Sequence, residues 1–595
     1  MFFHVPSFLT SIWLSHQALI STIFLIVASL WLLRRLLLPK PIPGIPHNPA
    51  AVRSLLGDIM AIQREMPDNI GEWVVRQSDR HHSPVWQVFL VPFSRPFVVV
   101  SDFREGQDIL VRRKDEFERS DLAIALLRGE LPKFHACLKT GPEWAAHRRL
   151  LQDLMSPEFL NRVAAPNMYA GACRLLELWR IKCEIAGEGR AFAAQHDLQY
   201  STLDAIYDFG YGDGAEERAL LTQLELFNGM DDEARREIRE SAVDGQPVEF
   251  PRAPLAPTMD AVLRTTENIT KVAVTGFPAI AWRVLSLIPR VRKLRRLKDS
   301  FIKGQVDKAI ARLKKSKLED GDSKLKCGLD LILQRERAMA AKEDREPIFW
   351  SDSIKDEMFG FVTAGHETTA NVISWGVKFM ADNPAHQSTL RAHLRSAHST
   401  ALAEQRFPTH SEITTAHIPY LLAYIEEILR LSHAAAMTDR QCTRDTMVLG
   451  KPIPKGTTVV IVNKGPGFTK PSLPIDESLR SASSQRALED RKGSGYYRMF
   501  DEVGMDEFNP QRWLVKDAET GREEFDPTAF PSIPFGMGQR GCFGRRMVYV
   551  QFKMLVTLLL WQFAFLPCPE DLSSYDSVQV LTNQPRECYV ALKQL

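Results

Sequence analysis

Phe535-Gly536-Met537-Gly538-Gln539-Arg540-Gly541-Cys542-Phe543-Gly544 is the stretch that decides how this chain is read. It follows Ser532-Ile533-Pro534 and leads into a largely apolar run, Met547 to Phe565. Closely spaced glycines before such a run predict a tight loop that feeds a buried helix. Glycine permits positive φ and lets a backbone come close to a flat ligand. A cysteine at a helix start meets free N–H groups and the positive end of the dipole, both of which favour the thiolate. Arg540 is expected to add positive charge beside it.

Upstream, Ser351 reads as an N-cap with Asp352 in the first turn. Ile354, Met358, Phe361 and Val362 recur at helical spacing, and Pro384 stops the helix near Asp382-Asn383. Such a helix would span roughly 45 Å at about 1.5 Å per residue. In its middle, Ala364-Gly365-His366-Glu367-Thr368-Thr369 places a glycine and polar groups inside a helix that should be buried. Gly365 is expected to let the helix approach a flat ligand. Thr368 is expected to hydrogen-bond back to the carbonyl one turn earlier. Trp144 and Arg148 share a helical face one turn apart, and Glu427 with Arg430 has ion-pair spacing on the helix Tyr420 to Leu431.

The cysteine stretch resembles the proximal signature of the cytochrome P450 family, F-x-x-G-x-R-x-C-x-G, at every fixed position. Four further motifs resemble that family in its chain order. They are W-x-x-x-R at Trp144 and Arg148, A-G-x-E-T-T at Ala364 to Thr369, E-x-x-R at Glu427 and Arg430, and F-x-P-x-R-W at Phe508 to Trp513. The resemblance covers the chain beyond its first fifty residues. It implies a mainly α fold with a small β region: a helical prism holding haem b (iron protoporphyrin IX) between a long distal helix and a proximal cysteine loop.

By that resemblance, Cys542 is the axial iron ligand and Phe535 shields it. Arg540, Trp144, Arg148 and Arg440 meet the haem propionates, and Ala364 and Gly365 lie against the haem face. Thr368 and Glu367 serve oxygen activation and proton relay. Glu427, Arg430 and Arg512 form a buried structural triad, with Glu426 as the adjacent rival acid. Two departures stand out. Val548 replaces a frequent alanine after the cysteine. The segment Ser432 to Arg440 lacks the family's prolines, which leaves its path open; Ala436 and Met437 are expected to face the pocket.

Phe2 to Leu33 contains no Asp, Glu, Lys or Arg, and Arg34, Arg35 and Lys40 follow. That predicts an uncleaved membrane anchor over residues 1–38 with the rest cytosolic, in preference to a signal peptide. A stiff proline-rich linker comes next over 39–49, and the catalytic domain over 50–595. The expected location is the endoplasmic reticulum, in contact with membrane lipid. The chain of 595 residues has a formal net charge of only +2, which carries no nucleic-acid footprint. Eight scattered cysteines suit a reducing compartment. The basic run Arg290 to Lys298 reads either as a solvated helix face or as a contact for lipid or a redox partner. Lys464 to Glu502 is long and polar, and reads as a surface insertion.

The resemblance implies a monooxygenase that takes electrons from NADPH through a cytochrome reductase. One atom of O2 would enter a small apolar substrate (terpenoid, polyketide or fatty-acid-like). A reductase-independent isomerase or dehydratase of the same family and a non-catalytic haem-binding protein are the alternatives. Thr368 and the unbroken cysteine loop argue against the first, and the intact Glu367–Thr368 pair against the second.

Overall fold

The computed structural model describes residues 7–212, 217–241, 243, 245–316, 325–493, 502–517, 519–579 and 581–595. Helices dominate it, as the apolar periodicity predicts, and the sheets are small. Helix α1 (Ser7–Leu37) comes first; from Leu19 to Leu37 none of it is buried and it is long and apolar enough to cross a membrane.

The proline-rich segment behind it docks onto the domain. Ile42 and Ile45 are buried. The side-chain amide of Gln87 accepts from the Ile42 N–H and donates to the Ile42 and Ile45 carbonyls, at 2.8–2.9 Å.

Strands β1 (Val85–Val88) and β2 (Phe97–Val100) pair antiparallel. With β3 (Phe117–Glu118), β4 (Met437–Cys442) and β5 (Thr458–Val462) they form one sheet in the order β1-β2-β5-β4-β3, in which β2 and β5 are parallel. Val85, Val98 and Val100 fill one apolar cluster and Trp86, Val88 and Val99 another, so the sheet is covered on both faces. Strand β4 carries Arg440, and β3 brings Glu118 beside it.

The main core is helical. Its frame is built from helices α2 (Pro142–Leu151), α3 (Ala165–Ala186), α4 (Gln195–Tyr211), α5 (Pro278–Leu287), α6 (Pro289–Ser316), α7 (Asp352–Asp382), α8 (Pro419–Ser432) and α9 (Arg545–Gln562). The central one is α7, with 31 residues. The Ser351 hydroxyl accepts from the Ile354 N–H at its start, and Pro384 opens the next helix just beyond Asn383. After α9 a hairpin of β6 (Ser577–Gln579) and β7 (Asn583–Pro585) returns to α7.

One sequence expectation changes here. The basic run on α6 is largely used inside the fold. Arg295 and Lys298 both clamp buried Glu130, at 2.7 and 2.6 Å. Lys298 lies 4.4 Å above the Phe359 ring of α7, and Arg292 caps the end of α5 by donating to the Ser286 and Leu287 carbonyls. Arg290, Lys293 and Arg296 remain exposed or half-exposed.

The polar insertion is also anchored. Arg480 pairs with both oxygens of Asp102, at 2.7 and 3.0 Å, and both residues are buried. The Ser481 and Ser483 hydroxyls donate to buried Asp108. The Asp102 carboxylate also caps the helix Phe103–Gln107 by accepting from the Glu105 N–H. The Glu105 side chain does not complete a capping box; it turns to Arg113 instead.

Candidate active site

The loop before α9 folds back on itself. The Cys542 N–H donates to the Phe535 carbonyl at 2.8 Å, and the Gly541 N–H to the Gly538 carbonyl at 3.0 Å. Gly538 has φ +71°, and a Cβ there would lie 2.2 Å from the Leu110 carbonyl oxygen, so no other residue fits. The Phe535 ring packs against Tyr549 on α9, with ring centroids 5.9 Å apart. Cys542 is exposed as a residue, yet protein atoms crowd around its thiol closely enough to desolvate it.

Burial pushes the Cys542 thiol above its ordinary range. The N–H groups of Gly544 and Arg545 and the guanidiniums of Arg148 and Arg545 pull the other way. The helix-start argument therefore holds in kind, but it does not outweigh desolvation in the protein alone. A bound metal cation reverses that balance and deprotonates a coordinating thiol. The Arg540 guanidinium is directed to other partners. Its Nη2 donates to the Leu138 carbonyl at 2.6 Å and to Glu118 at 3.2 Å.

Arg540 belongs to a second group of cations. Arg440 is buried, donates from Nη1 to the Asp439 carbonyl, and is pushed down to about 10 by burial, with Arg119 and Arg540 adding to the shift. Among the described residues, Arg440 Nη2, Arg540 Nε and Arg119 Nε are buried N–H groups with no hydrogen-bond partner. Trp144 lies beneath two guanidiniums, Arg540 at 4.7 Å and Arg148 at 5.8 Å. Arg148 also covers the Phe543 ring at 4.5 Å, next to the cysteine. Buried unpaired donors and crowded cations are costly without an anion. Carboxylates of a haem would meet that demand, and the adjacent thiol fits an iron. The residues present fit the group that the sequence resemblance implies.

On α7, the Thr368 hydroxyl donates to the Ala364 carbonyl at 2.7 Å, as predicted. Thr265 and Ser374 make the same bond elsewhere, so this geometry alone assigns no role. Ala364 is exposed in the middle of a mostly buried helix and faces open space. Gly365 also makes room for a neighbouring helix. A Cβ at this position would lie 2.9 Å from Ile206 Cδ1, so the missing side chain lets α4 pack against α7. His366 is buried, with Nδ1 donating to the Val362 carbonyl at 2.7 Å, and burial holds its pKa down. Glu367 accepts at Oε1 from Thr582 Oγ1 at 2.9 Å.

Below the cysteine loop, Glu427 is fully buried. Arg430 reaches both its oxygens at 2.8 Å, and Arg512 Nε reaches Oε1 at 2.9 Å. The Trp513 indole N–H and the Asn509 backbone N–H complete the cage at 2.9 and 3.0 Å. Burial alone would raise the Glu427 carboxyl; the two guanidiniums and these donors hold it below its ordinary value.

After α8, His433 takes φ +45° and the chain turns. The Asn463 side-chain amide donates to the Ala435 carbonyl and that of Asn583 to the Ser432 carbonyl, at 2.7 and 2.8 Å. These bonds fix the path that the missing prolines left open. Ala436 is buried and Met437 half-buried.

Sequence reading missed several residues around the site. Glu357 on α7 is buried and accepts from His135 Nδ1 and His147 Nδ1, each at 2.7 Å. His147 lies next to Arg148, so this cluster fixes the base of that arginine's helix. Arg119 and Glu118 join the cation group from β3 and its exit. None carries a spacing signal, because each is brought in by tertiary packing.

A family model described as Cytochrome P450 matches residues 48–465 and 506–590. The gap between the two segments coincides with the anchored insertion. The chain is 36% identical to the cytochrome P450 monooxygenase TRI13 of Fusarium sporotrichioides, over 96% of this chain and 98% of that one. It is 34% identical to the cytochrome P450 monooxygenase xilC of Penicillium crustosum, over 97% and 96%. Identity to the cytochrome P450 monooxygenase GME11363 of Pestalotiopsis microspora is 33%, over 96% and 97%.

Proposed function

Since this chain belongs to the cytochrome P450 family, we propose that residues 50–595 form a haem-thiolate monooxygenase held at a membrane by residues 1–38. The docked segment 39–49 would set the angle between the two. In this reading Cys542 supplies the thiolate to the iron of haem b. Arg440, Arg540, Arg148 and Arg119 receive the propionates, with Trp144 stacked beneath two of these guanidiniums. Phe535 and the Gly538 turn shape the proximal loop. The Glu427–Arg430–Arg512 cage fixes the ground beneath it.

When bound, the haem supplies the reductive activation of dioxygen, for which no side chain has the chemistry. The chain's own residues do the rest. Ala364 leaves the distal face of the cleft open. Glu367 and Thr368 hold and pass protons there, so that one oxygen atom leaves as water. The balance is RH + O2 + NADPH + H⁺ → ROH + H2O + NADP⁺, with electrons arriving through a cytochrome reductase. The substrate RH is a small apolar molecule, terpenoid, polyketide or fatty-acid-like. The natural setting is the endoplasmic reticulum surface, with membrane lipid around α1.

The observation that carries this reading is the pairing of the Cys542 thiol with three buried, partnerless guanidinium donors at Arg119, Arg440 and Arg540. The test is the reduced protein under carbon monoxide, which should give the red-shifted Soret band of thiolate ligation. Cys542→Ser should abolish it, and loss of any other cysteine should not. NADPH-dependent oxygen uptake with a reductase then separates an oxygenase from a haem binder or a peroxide isomerase.

A further inference from the structure

Glu367 does not stand free on α7. Its Oε1 accepts from Thr582 Oγ1 at 2.9 Å, and that same hydroxyl oxygen accepts from Asn371 Nδ2 at 3.0 Å. Asn371 lies one turn beyond Glu367 and is buried. Thr582 sits in the turn between β6 and β7, 215 residues away in sequence.

The direction of this chain of bonds is set by the groups in it. An amide NH2 can only donate, so Asn371 takes a lone pair of the Thr582 oxygen. The single hydroxyl proton is then left for the carboxylate. Turning the Asn371 amide over would set two acceptors against one proton. The order is therefore Asn371 to Thr582 to Glu367, and a hydroxyl is the smallest side-chain group that can stand in the middle.

The turn that carries Thr582 is firmly held. The Asn583 N–H donates to the Ala434 carbonyl at 3.0 Å and its side chain to the Ser432 carbonyl at 2.8 Å. The Trp375 indole on α7 donates to the Asn583 carbonyl at 3.4 Å. Asn69 and Asp68 meet the strand before it, through the Ser577 hydroxyl and the Gln579 N–H. A donor on so fixed a support can hold a flexible glutamate in one rotamer. With Oε1 taken by Thr582, no contact among the described residues takes Oε2.

We propose that Thr582 is the positioning residue for the proton relay. It commits Oε1 of Glu367 and so presents Oε2 as the proton-carrying oxygen. Glu367 by itself could swing among several rotamers, and the hydroxyl removes that freedom. This inference rests on the reading of Glu367 as the relay acid.

The test compares the full-length protein with Thr582→Val, Thr582→Ser and Glu367→Ala, and with the double variant Thr582→Val plus Glu367→Ala. Product formed per NADPH consumed is measured with one turnover substrate and a reductase. Haem content and the carbon monoxide spectrum control for folding, and the thermal unfolding midpoint reports the hydrogen bond apart from turnover. Thr582→Val should lower the product ratio roughly three- to tenfold, the range for losing a hydrogen bond to a charged group that water partly replaces. The substrate KM should stay unchanged. Thr582→Ser should restore both the ratio and the midpoint. In the Glu367→Ala background Thr582→Val should do nothing further, which is the mark of two residues acting as one unit.

A Glu367→Ala protein with a normal product ratio overturns the relay reading, and the inference with it. If Glu367→Ala lowers the ratio and Thr582→Val does not, or the two losses multiply in the double variant, the relay stands and the positioning role is wrong. Should Thr582→Val fail to load haem, Thr582→Ala carries the same comparison.

Discussion

Glu426 and Glu427 are consecutive on α8 and both buried, yet their carboxylates go to opposite partners. Glu427 meets Arg430, Arg512 and Trp513. Glu426 accepts from the Tyr549 hydroxyl on α9, with Ser532 at the edge of bonding distance. Adjacent helical positions point about 100° apart, so one helix supplies two separate anchors. Glu427 ties α8 to the turn Asn509 to Trp513, upstream of the cysteine loop, and Glu426 ties it to the helix after the cysteine. Together they brace the long stretch from Asn509 to Tyr549, within which Cys542 lies.

The two acids should differ in what their loss does. Glu427→Ala leaves Arg430 and Arg512 buried without their shared carboxylate. Breaking such a network costs about 3–5 kcal/mol. Poor haem incorporation is the expected result, rather than an intact but slow enzyme. Glu426→Gln keeps a hydrogen-bond partner for Tyr549 and should load haem normally. Haem-to-protein ratios of the two purified variants decide the matter. Full loading of Glu427→Ala would mean that the cage is not what supports the proximal loop.

The cage also sets an acid limit. The folded-state pKa of Glu427 lies below its ordinary value of 4.5. A depressed carboxylate contributes stability that is complete above the unfolded value and is lost as pH falls through the folded one. Its share of the stability should therefore persist above about pH 4.5 and disappear below it. Arg512→Met removes one of the cations that depress the pKa, so the acid transition should move to higher pH. Circular dichroism and the Soret band, tracked through an acid titration, would show it. An unmoved midpoint would place the acid transition elsewhere, for instance at Glu116, which is held down to about 2.

The amino-terminal region makes a graded prediction. Deleting residues 1–38 removes the apolar helix but leaves Ile42, Ile45 and their Gln87 bonds in place. That protein should shift to the soluble fraction with its haem content unchanged. Deleting residues 1–49 strips the same apolar contacts from the sheet and leaves the Gln87 amide unsatisfied, so it should also lose stability. Fractionation and haem content of the two truncations test both claims. Retention of the shorter truncation on membranes would point to a second attachment, for which exposed Ile280, Val284 and Leu287 on α5 are the candidates.

Much of this site was legible because its motifs are local. Gly538 to Cys542 is one loop, Ala364 to Thr369 one helical segment, and Glu427 with Arg430 one helix face. What the sequence hid was the partner on the other side. Trp513 caps Glu427 from 86 residues away, and Thr582 reaches Glu367 across 215. Gly365 was read as room for a flat ligand; no local signal marks that Ile206 also needs that space. The basic run of α6 looked solvated because periodicity cannot reveal a buried acid such as Glu130 on a distant loop. The anchors of the polar insertion were hidden for the same reason: Asp102 and Asp108 lie 378 and 373 residues before Arg480 and Ser481.

The last prediction concerns what Thr368 contributes beyond a helical hydrogen bond. Its hydroxyl donates to the Ala364 carbonyl, and Ala364 is exposed toward the cleft. A small rotation about χ1 would free that hydroxyl for the oxygen substrate, with Glu367 as the proton source beside it. Splitting reduced dioxygen needs a proton on the outer oxygen atom; otherwise the reduced oxygen leaves as hydrogen peroxide. Thr368→Ala removes the donor and little volume, so haem content, the carbon monoxide spectrum and substrate binding should survive. NADPH oxidation should continue, with more of it ending as peroxide and less as product. A positioned proton donor is typically worth about a hundred- to ten-thousand-fold, and water can enter the space left by the threonine, so the loss should lie at the low end. Product and hydrogen peroxide per NADPH, measured in wild type and variant, give the answer. An unchanged ratio would mean that protons reach the oxygen by a route that does not pass Thr368.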